Sequence, residues 1–145
     1  MDSARSCNAA ALRRATRRVS QLYDDALAPA GIGINPFSIL ATLDGAGPSR
    51  IAELARRLVM DRSTLGHLIR PLEDRGLVAL SVDANDRRAR TLSLTRTGRA
   101  LLARARPLWA DAQRRFEHVF GVQASAELRD VLREVAALEF PPERG

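Results

Sequence analysis

Residues 49–95 leave little freedom in how this chain can fold. Ile51-Ala-Glu-Leu-Ala-Arg-Arg-Leu58 is a short amphipathic helix pattern, closed by a turn at Val59-Met60. Residues 61–75 then carry Leu65, Leu68, Ile69 and Leu72 at spacings of 3, 1 and 3, one apolar stripe at helical period. Asp61 can cap the first turn of this second helix with its carboxylate, and Gly76 suits the left-handed position past its last turn. Two β-patterned runs follow, 77–82 and 91–95. Leu92 and Leu94 alternate with Thr91, Ser93 and Thr95, as a half-buried strand requires, and Leu80 and Val82 are expected to do the same on the partner strand. The polar tip between the runs, 83–90, sets Arg87, Arg88 and Arg90 against Asp83 and Asp86.

Helix, turn, helix and a hairpin with an arginine-rich tip make the outline of a winged helix-turn-helix, whose second helix enters the major groove of DNA. Opposite the apolar stripe of that helix lie Ser63, Gly66, His67, Arg70 and Asp74, because residues three and four apart are neighbours on a helix. Hydroxyls, an imidazole and a guanidinium on one face can reach base edges or phosphates. Arginine at a hairpin tip can enter a narrow minor groove, where negative potential is concentrated, and an acid beside it can hold the guanidinium in an aimed rotamer. Taken singly, the helix face is a solvated surface and the tip a charged loop. Side by side they favour duplex DNA. Pro71 inside the second helix removes an amide donor and is expected to bend it, which bears on the aim of Arg70.

Four fragments stand in order: Asp61-Arg-Ser-Thr-Leu65, Leu72-Glu-Asp-Arg-Gly-Leu-Val78, Asp86-Arg-Arg-Ala-Arg90 and Leu92-Ser-Leu-Thr-Arg-Thr-Gly98. Their order and spacing resemble the MarR (multiple antibiotic resistance regulator) family through the DNA-binding lobe, with weaker motifs across nearly the whole chain. The resemblance implies a sequence-specific regulator of transcription, a repressor acting as a homodimer on pseudo-palindromic duplex operators. With the helix face and hairpin tip read above, the expected DNA contacts are Arg62, Ser63, Thr64, His67, Arg70, Asp86, Arg87, Arg88 and Arg90. Asp86 and Arg88 match the family's wing aspartate and arginine, the arginine reaching the minor groove.

Charge agrees with a duplex partner. The 145 residues carry a net charge of +6, and residues 50–99 hold eleven arginines against six acids. A basic lobe is the electrostatic footprint of a nucleic-acid binder. No aromatic residue occurs in that stretch, so stacking platforms for unpaired bases are missing and double-stranded DNA is favoured over single strands or RNA. All 23 basic residues are arginine, which reads as genome composition rather than function. The length is that of one domain, 1–145, able to bury roughly two-thirds of its extended surface. One cysteine, no apolar signal core at the amino terminus and no run of ~20 apolar residues lead to a cytoplasmic, non-membrane expectation.

The flanks read as helices. Leu12, Ala15, Val19, Leu22 and Ala26 form one stripe over 8–28, with Arg13, Arg14, Arg17 and Arg18 off it as a solvated flank or, less simply, a DNA contact. Pro29-Ala-Gly-Ile-Gly33 breaks that helix. Asn35 is expected to cap the next, with Pro36 at its first position. Thr95 can cap a long helix kinked at Pro107 and ended by Gly121; Ser125 is expected to cap a last one, stopped by Pro141-Pro142. The fold class is thus mainly α with a small β-hairpin wing. A winged helix-turn-helix lobe occupies 36–95, and 8–35 with 96–140 form a helical dimerisation region. The end helices carry more apolar surface than the lobe needs, so they either pair two copies or fold back as a monomeric core; the resemblance implies pairing.

The family also implies a signal: an anionic or phenolic molecule between the dimer helices and the lobe, or oxidation of a cysteine near the first helix. Tyr23, Phe37 and Trp109 can line a pocket for a small aromatic or anionic effector, or be plain core. Cys7, near Arg5 and the first helix, matches the position of the sensing cysteine in the organic hydroperoxide branch, or is a terminal residue without a role. With no second cysteine, any disulfide would be intermolecular or with a small thiol. Two histidines and one cysteine complete no zinc set, and no phosphate loop, Gly-x-Ser-x-Gly or His-Glu-x-x-His is present, so neither an enzyme nor a metal or cofactor is expected. The competing class is a winged-helix docking module that binds protein without reading DNA.

Overall fold

In the computed structural model, which describes residues 6–141, nine regular elements follow one another. They are α1 (Asn8–Leu27), α2 (Ile34–Ala46), β1 (Ser49–Arg50), α3 (Ile51–Leu58), α4 (Arg62–Asp74), β2 (Val78–Val82), β3 (Arg90–Leu94), α5 (Arg96–Phe120) and α6 (Val122–Ala136), with a 3-10 turn at Ala28–Ala30. The chain divides within α5 into two compact units, one through Ala112 and one from Gln113 onward.

The first unit is built around the helix-turn-helix. Asp61 caps α4 as its position predicts: its carboxylate accepts the Thr64 amide at 3.2 Å and also the Thr64 hydroxyl. Those bonds hold the Asp61 carboxyl below its usual range. Leu65, Ile69 and Leu72 bury the stripe against Phe37, Ile39, Leu40 and Leu43 of α2 and Leu54 of α3 in one hydrophobic cluster. Pro71 does not break α4, which runs helical to Asp74; Gly76 then turns the chain with φ 67°. The turn before α4 pivots on Val59, which adopts φ 52° although it is β-branched.

The sheet has the order β1-β3-β2, all antiparallel, and β1 was not anticipated from the sequence. Central β3 buries Leu92 and Leu94 as expected. The expectation for Leu80 and Val82 fails: they are 39% and 51% exposed. Leu80 lies opposite Leu92, but β2 is an edge strand with a neighbour on one side only, so just its first residue, Val78, is covered. Arg90 also moves off the tip, since it pairs with Val82 as the first residue of β3.

Thr95 is the joint between wing and α5. Its hydroxyl donates to the Gly76 carbonyl at 2.6 Å and accepts the Gly98 amide at 3.0 Å, while its own amide donates to the Leu77 carbonyl at 3.2 Å. The chain comes so close there that a Cβ on Gly98 would stand 2.0 Å from the Leu77 carbonyl oxygen.

Three helix ends differ from expectation. α2 begins at Ile34, not at Pro36, because Asp24 of α1 reaches across and accepts the Ile34 amide at 2.7 Å. Gly33 leaves room for that carboxylate; a Cβ there would lie 2.8 Å from its oxygen. Pro36, in the first turn, gives up an amide that has no helical partner anyway. In the second unit α6 starts at Val122, so Ser125 is not its cap; the buried hydroxyl donates back to the Gly121 carbonyl at 2.6 Å. α6 ends at Ala136, ahead of Pro141, and Pro142 lies outside the described residues. α5 stays helical through Pro107 and ends at Phe120, as Gly121 predicts.

Candidate nucleic-acid interface

Arg62 opens α4, and Arg88 and Arg90 belong to the wing, yet these guanidinium-bearing residues line one cleft of about 430 Å³ together with Arg50, Ile51 and Asp86. The helix and the wing therefore face a common space. Arg62, Arg87, Arg88 and Arg90 are exposed, and among the described residues their guanidiniums have no acid partner. Four unpaired cations on or beside one concavity fit a polyanion.

The wing is shaped from its base. Asp83, the first residue of the tip, grips Arg50 of β1 through two bonds of 2.9 and 3.0 Å. It also accepts the amides of Asn85 and Asp86 at 2.9 and 3.0 Å and the Thr91 hydroxyl at 3.1 Å. Five donors on one carboxylate pin the start of the loop to two strands. The hydrogen bond from Arg50, then that from the Asn85 amide, hold the Asp83 carboxyl far below its usual range; the same contact raises Arg50. This corrects the sequence expectation that an acid aims a tip arginine. Asp86 accepts the backbone amide of Arg88 at 3.0 Å, a local turn that shapes the loop rather than a rotamer clamp.

On α4, Ser63, Thr64, Gly66, His67 and Arg70 are all exposed. Thr64 differs from its neighbours because both its amide and hydroxyl are engaged by the Asp61 cap. Sequence reasoning missed Arg50, Asp83 as the wing's anchor, and Arg75, which donates to the Gly31 carbonyl at 2.9 Å. Each joins residues at least 33 positions apart, and no local period announces such a pair.

The other candidates lie elsewhere. Phe37 is buried and stacks on Trp109 with centroids 5.8 Å apart, and Tyr23 and Trp109 are half-buried against the same core. Cys7 is exposed at the cap position of α1, and Arg5 lies outside the described residues. Among the described residues no group of three His, Cys, Asp or Glu side chains could hold a metal ion, and no single helix is long and apolar enough to cross a membrane.

Residues 33–89 match the model of the MarR family. The fold is similar, with a TM-score of 0.82 and 31% identity over 94% of this chain and 96% of the other, to the transcriptional repressor CouR bound to a 23-mer DNA duplex. The chain belongs to the MarR family. Another solved relative of similar reach is the Mycobacterium tuberculosis regulator MosR in complex with DNA, 32% identical over 91% of this chain and 99% of that one, TM-score 0.77. Among curated proteins, the transcriptional repressor NicR of Pseudomonas putida is 34% identical over 91 residues, 63% of this chain and 58% of NicR. The chain spans about half the length of the curated relatives it matches. The matched residues take in α2, β1, α3, α4, β2 and the wing tip, and so every residue that lines the cleft except Arg90.

Proposed function

We propose that this chain is a transcriptional repressor that reads duplex DNA as a homodimer, with α4 in the major groove and the wing in the adjacent minor groove. The single observation that carries the reading is the cleft shared by Arg62 of α4 and Arg88 and Arg90 of the wing. A rigid helix edge and an anchored loop presenting free guanidiniums to one space suit a double helix, whose phosphates and base edges alternate over that scale. In this reading Ser63, His67 and Arg70 face base edges, Arg88 the minor groove, and Arg62, Arg87 and Arg90 phosphates.

Pairing of two copies is supported by apolar surface that one copy leaves uncovered. Val131, Leu132 and Val135 follow helical spacing along α6 and are between 39% and 55% exposed, and Leu138, just past its end, is 56% exposed. Patches of this kind on a soluble fold mark contact surfaces, and a two-fold pair places two reading helices about one turn of DNA apart.

Titration against duplex DNA at rising salt tests the reading. The logarithm of affinity is expected to fall linearly with the logarithm of salt. Arg88→Ala is expected to weaken binding to all sequences and, since a homodimer carries two copies of it, to lower the salt slope by about 2, whereas His67→Ala or Arg70→Ala changes which sequence is preferred. Affinity without salt dependence would favour a docking module instead.

A further inference from the structure

Gly66 sits in the fifth position of a thirteen-residue helix, where glycine costs stability, and nothing inside the molecule asks for it. A glycine in a helix interior is less favourable than alanine, because it gives up more backbone freedom on folding. Two reasons normally repay that cost, a left-handed backbone or a crowded Cβ position. Neither holds: Gly66 is absent from the positive-φ glycines, and a Cβ built on it meets no atom within 4 Å. Gly98 shows the contrast, its Cβ position being blocked by the Leu77 carbonyl. The empty space at Gly66 opens outward, on the exposed line that runs Arg62, Gly66, Arg70 at intervals of one helical turn, and Arg62 at the start of that line shares the cleft with the wing.

We infer that Gly66 is a specificity-determining residue: its bare Cα is the point of closest approach between α4 and a base pair, and it admits the 5-methyl group of a thymine. This rests on the DNA reading proposed above. The chemistry selects thymine because a CH₂ group offers no hydrogen bond, so it cannot reward the donors and acceptors that mark the other bases. The thymine methyl is the one apolar group in the major groove, and it stands out from the base edge. Flanking guanidiniums at Arg62 and Arg70 would fix the helix at the depth where that contact forms.

The test pairs one protein change with one DNA change. Duplexes selected from a random library by the unaltered protein are expected to show a fixed T·A pair in each half-site, and Gly66→Ala, melting at the same or higher temperature, is expected to lose that preference alone. Replacing the selected thymine by deoxyuridine removes only the methyl and should weaken the unaltered protein about fourfold per site, with no further loss for Gly66→Ala. Base preferences identical in the two proteins, or equal response of both to deoxyuridine, would overturn the inference while leaving DNA reading intact. Failure of the unaltered protein to select any sequence removes both.

Discussion

Gly98 and Val59 show how single positions are set by contacts or by backbone angle rather than by side-chain preference. Alanine at Gly98 would gain about 1 kcal/mol or less of helix propensity, being in the first turn. Its methyl would meet the Leu77 carbonyl at 2.0 Å, and a backbone oxygen held by the Thr95 amide cannot swing aside. Overpacking against such a neighbour costs about 1–3 kcal/mol or more, so it wins: Gly98→Ala should lower the urea midpoint clearly, and an unchanged midpoint would show that α5 can slide off the wing. Val59 is the opposite case. At φ 52° a β-branched side chain pays about 1–2 kcal/mol, and with 69% of its surface exposed it recovers little by burial. Asparagine tolerates this angle without glycine's extra chain entropy. Val59→Asn is therefore expected to raise stability by about 1 kcal/mol in urea unfolding, and a loss would mean that Val59 packs on something its exposure does not reveal.

Among elements, the wing depends most on charge, and its pH behaviour follows from Asp83. Its folded carboxyl titrates below the unfolded value of about 3.9, so its bonds stabilise the wing fully above that range and are lost as pH falls through the folded value. Asp83→Asn keeps the shape but loses the ion pair with Arg50. The stability difference between the two proteins should be level at neutral pH and should shrink below about pH 4; a gap that stays constant into acid would assign the loss to packing instead. Little of this was legible in the sequence. α3, α4 and the two wing strands could be read because their apolar periods, the Asp61 cap and the Gly76 turn are local signals. The Arg50–Asp83 pair joins a two-residue strand to a loop 33 positions later, and only the folded sheet brings them together. Ser125 misled for a related reason: it is a good cap by type, but Gly121 had already released the chain into α6, leaving the hydroxyl to bond backward. Of the candidate reading residues, Arg62 and Arg88 were visible by motif, whereas their convergence on one cleft is a property of the fold.

At the scale of the molecule, the proposal joins two surfaces of different character. Positive charge is concentrated in residues 50–99, while exposed apolar side chains recur along α6 from Val122 onward and just before it, at Val119. Affinity for an operator then depends on both, since two weak half-site contacts become one strong contact when they are linked. The pair Val131→Asp and Val135→Asp puts two carboxylates on the α6 stripe, at positions that are 55% and 39% exposed in one copy, so a single copy can fold around them. Sedimentation should show half the mass of the unaltered protein, while circular dichroism keeps the helical signal. Operator binding should fall by two orders of magnitude or so, and the salt slope should drop to about half, because one lobe neutralises half the phosphates. The two readouts separate the surfaces: Arg88→Ala lowers the slope with the mass unchanged, and the α6 variant lowers both. A variant that sediments as half the mass yet binds with the full slope and affinity would mean that one lobe suffices, and the apolar stripe would need another occupant.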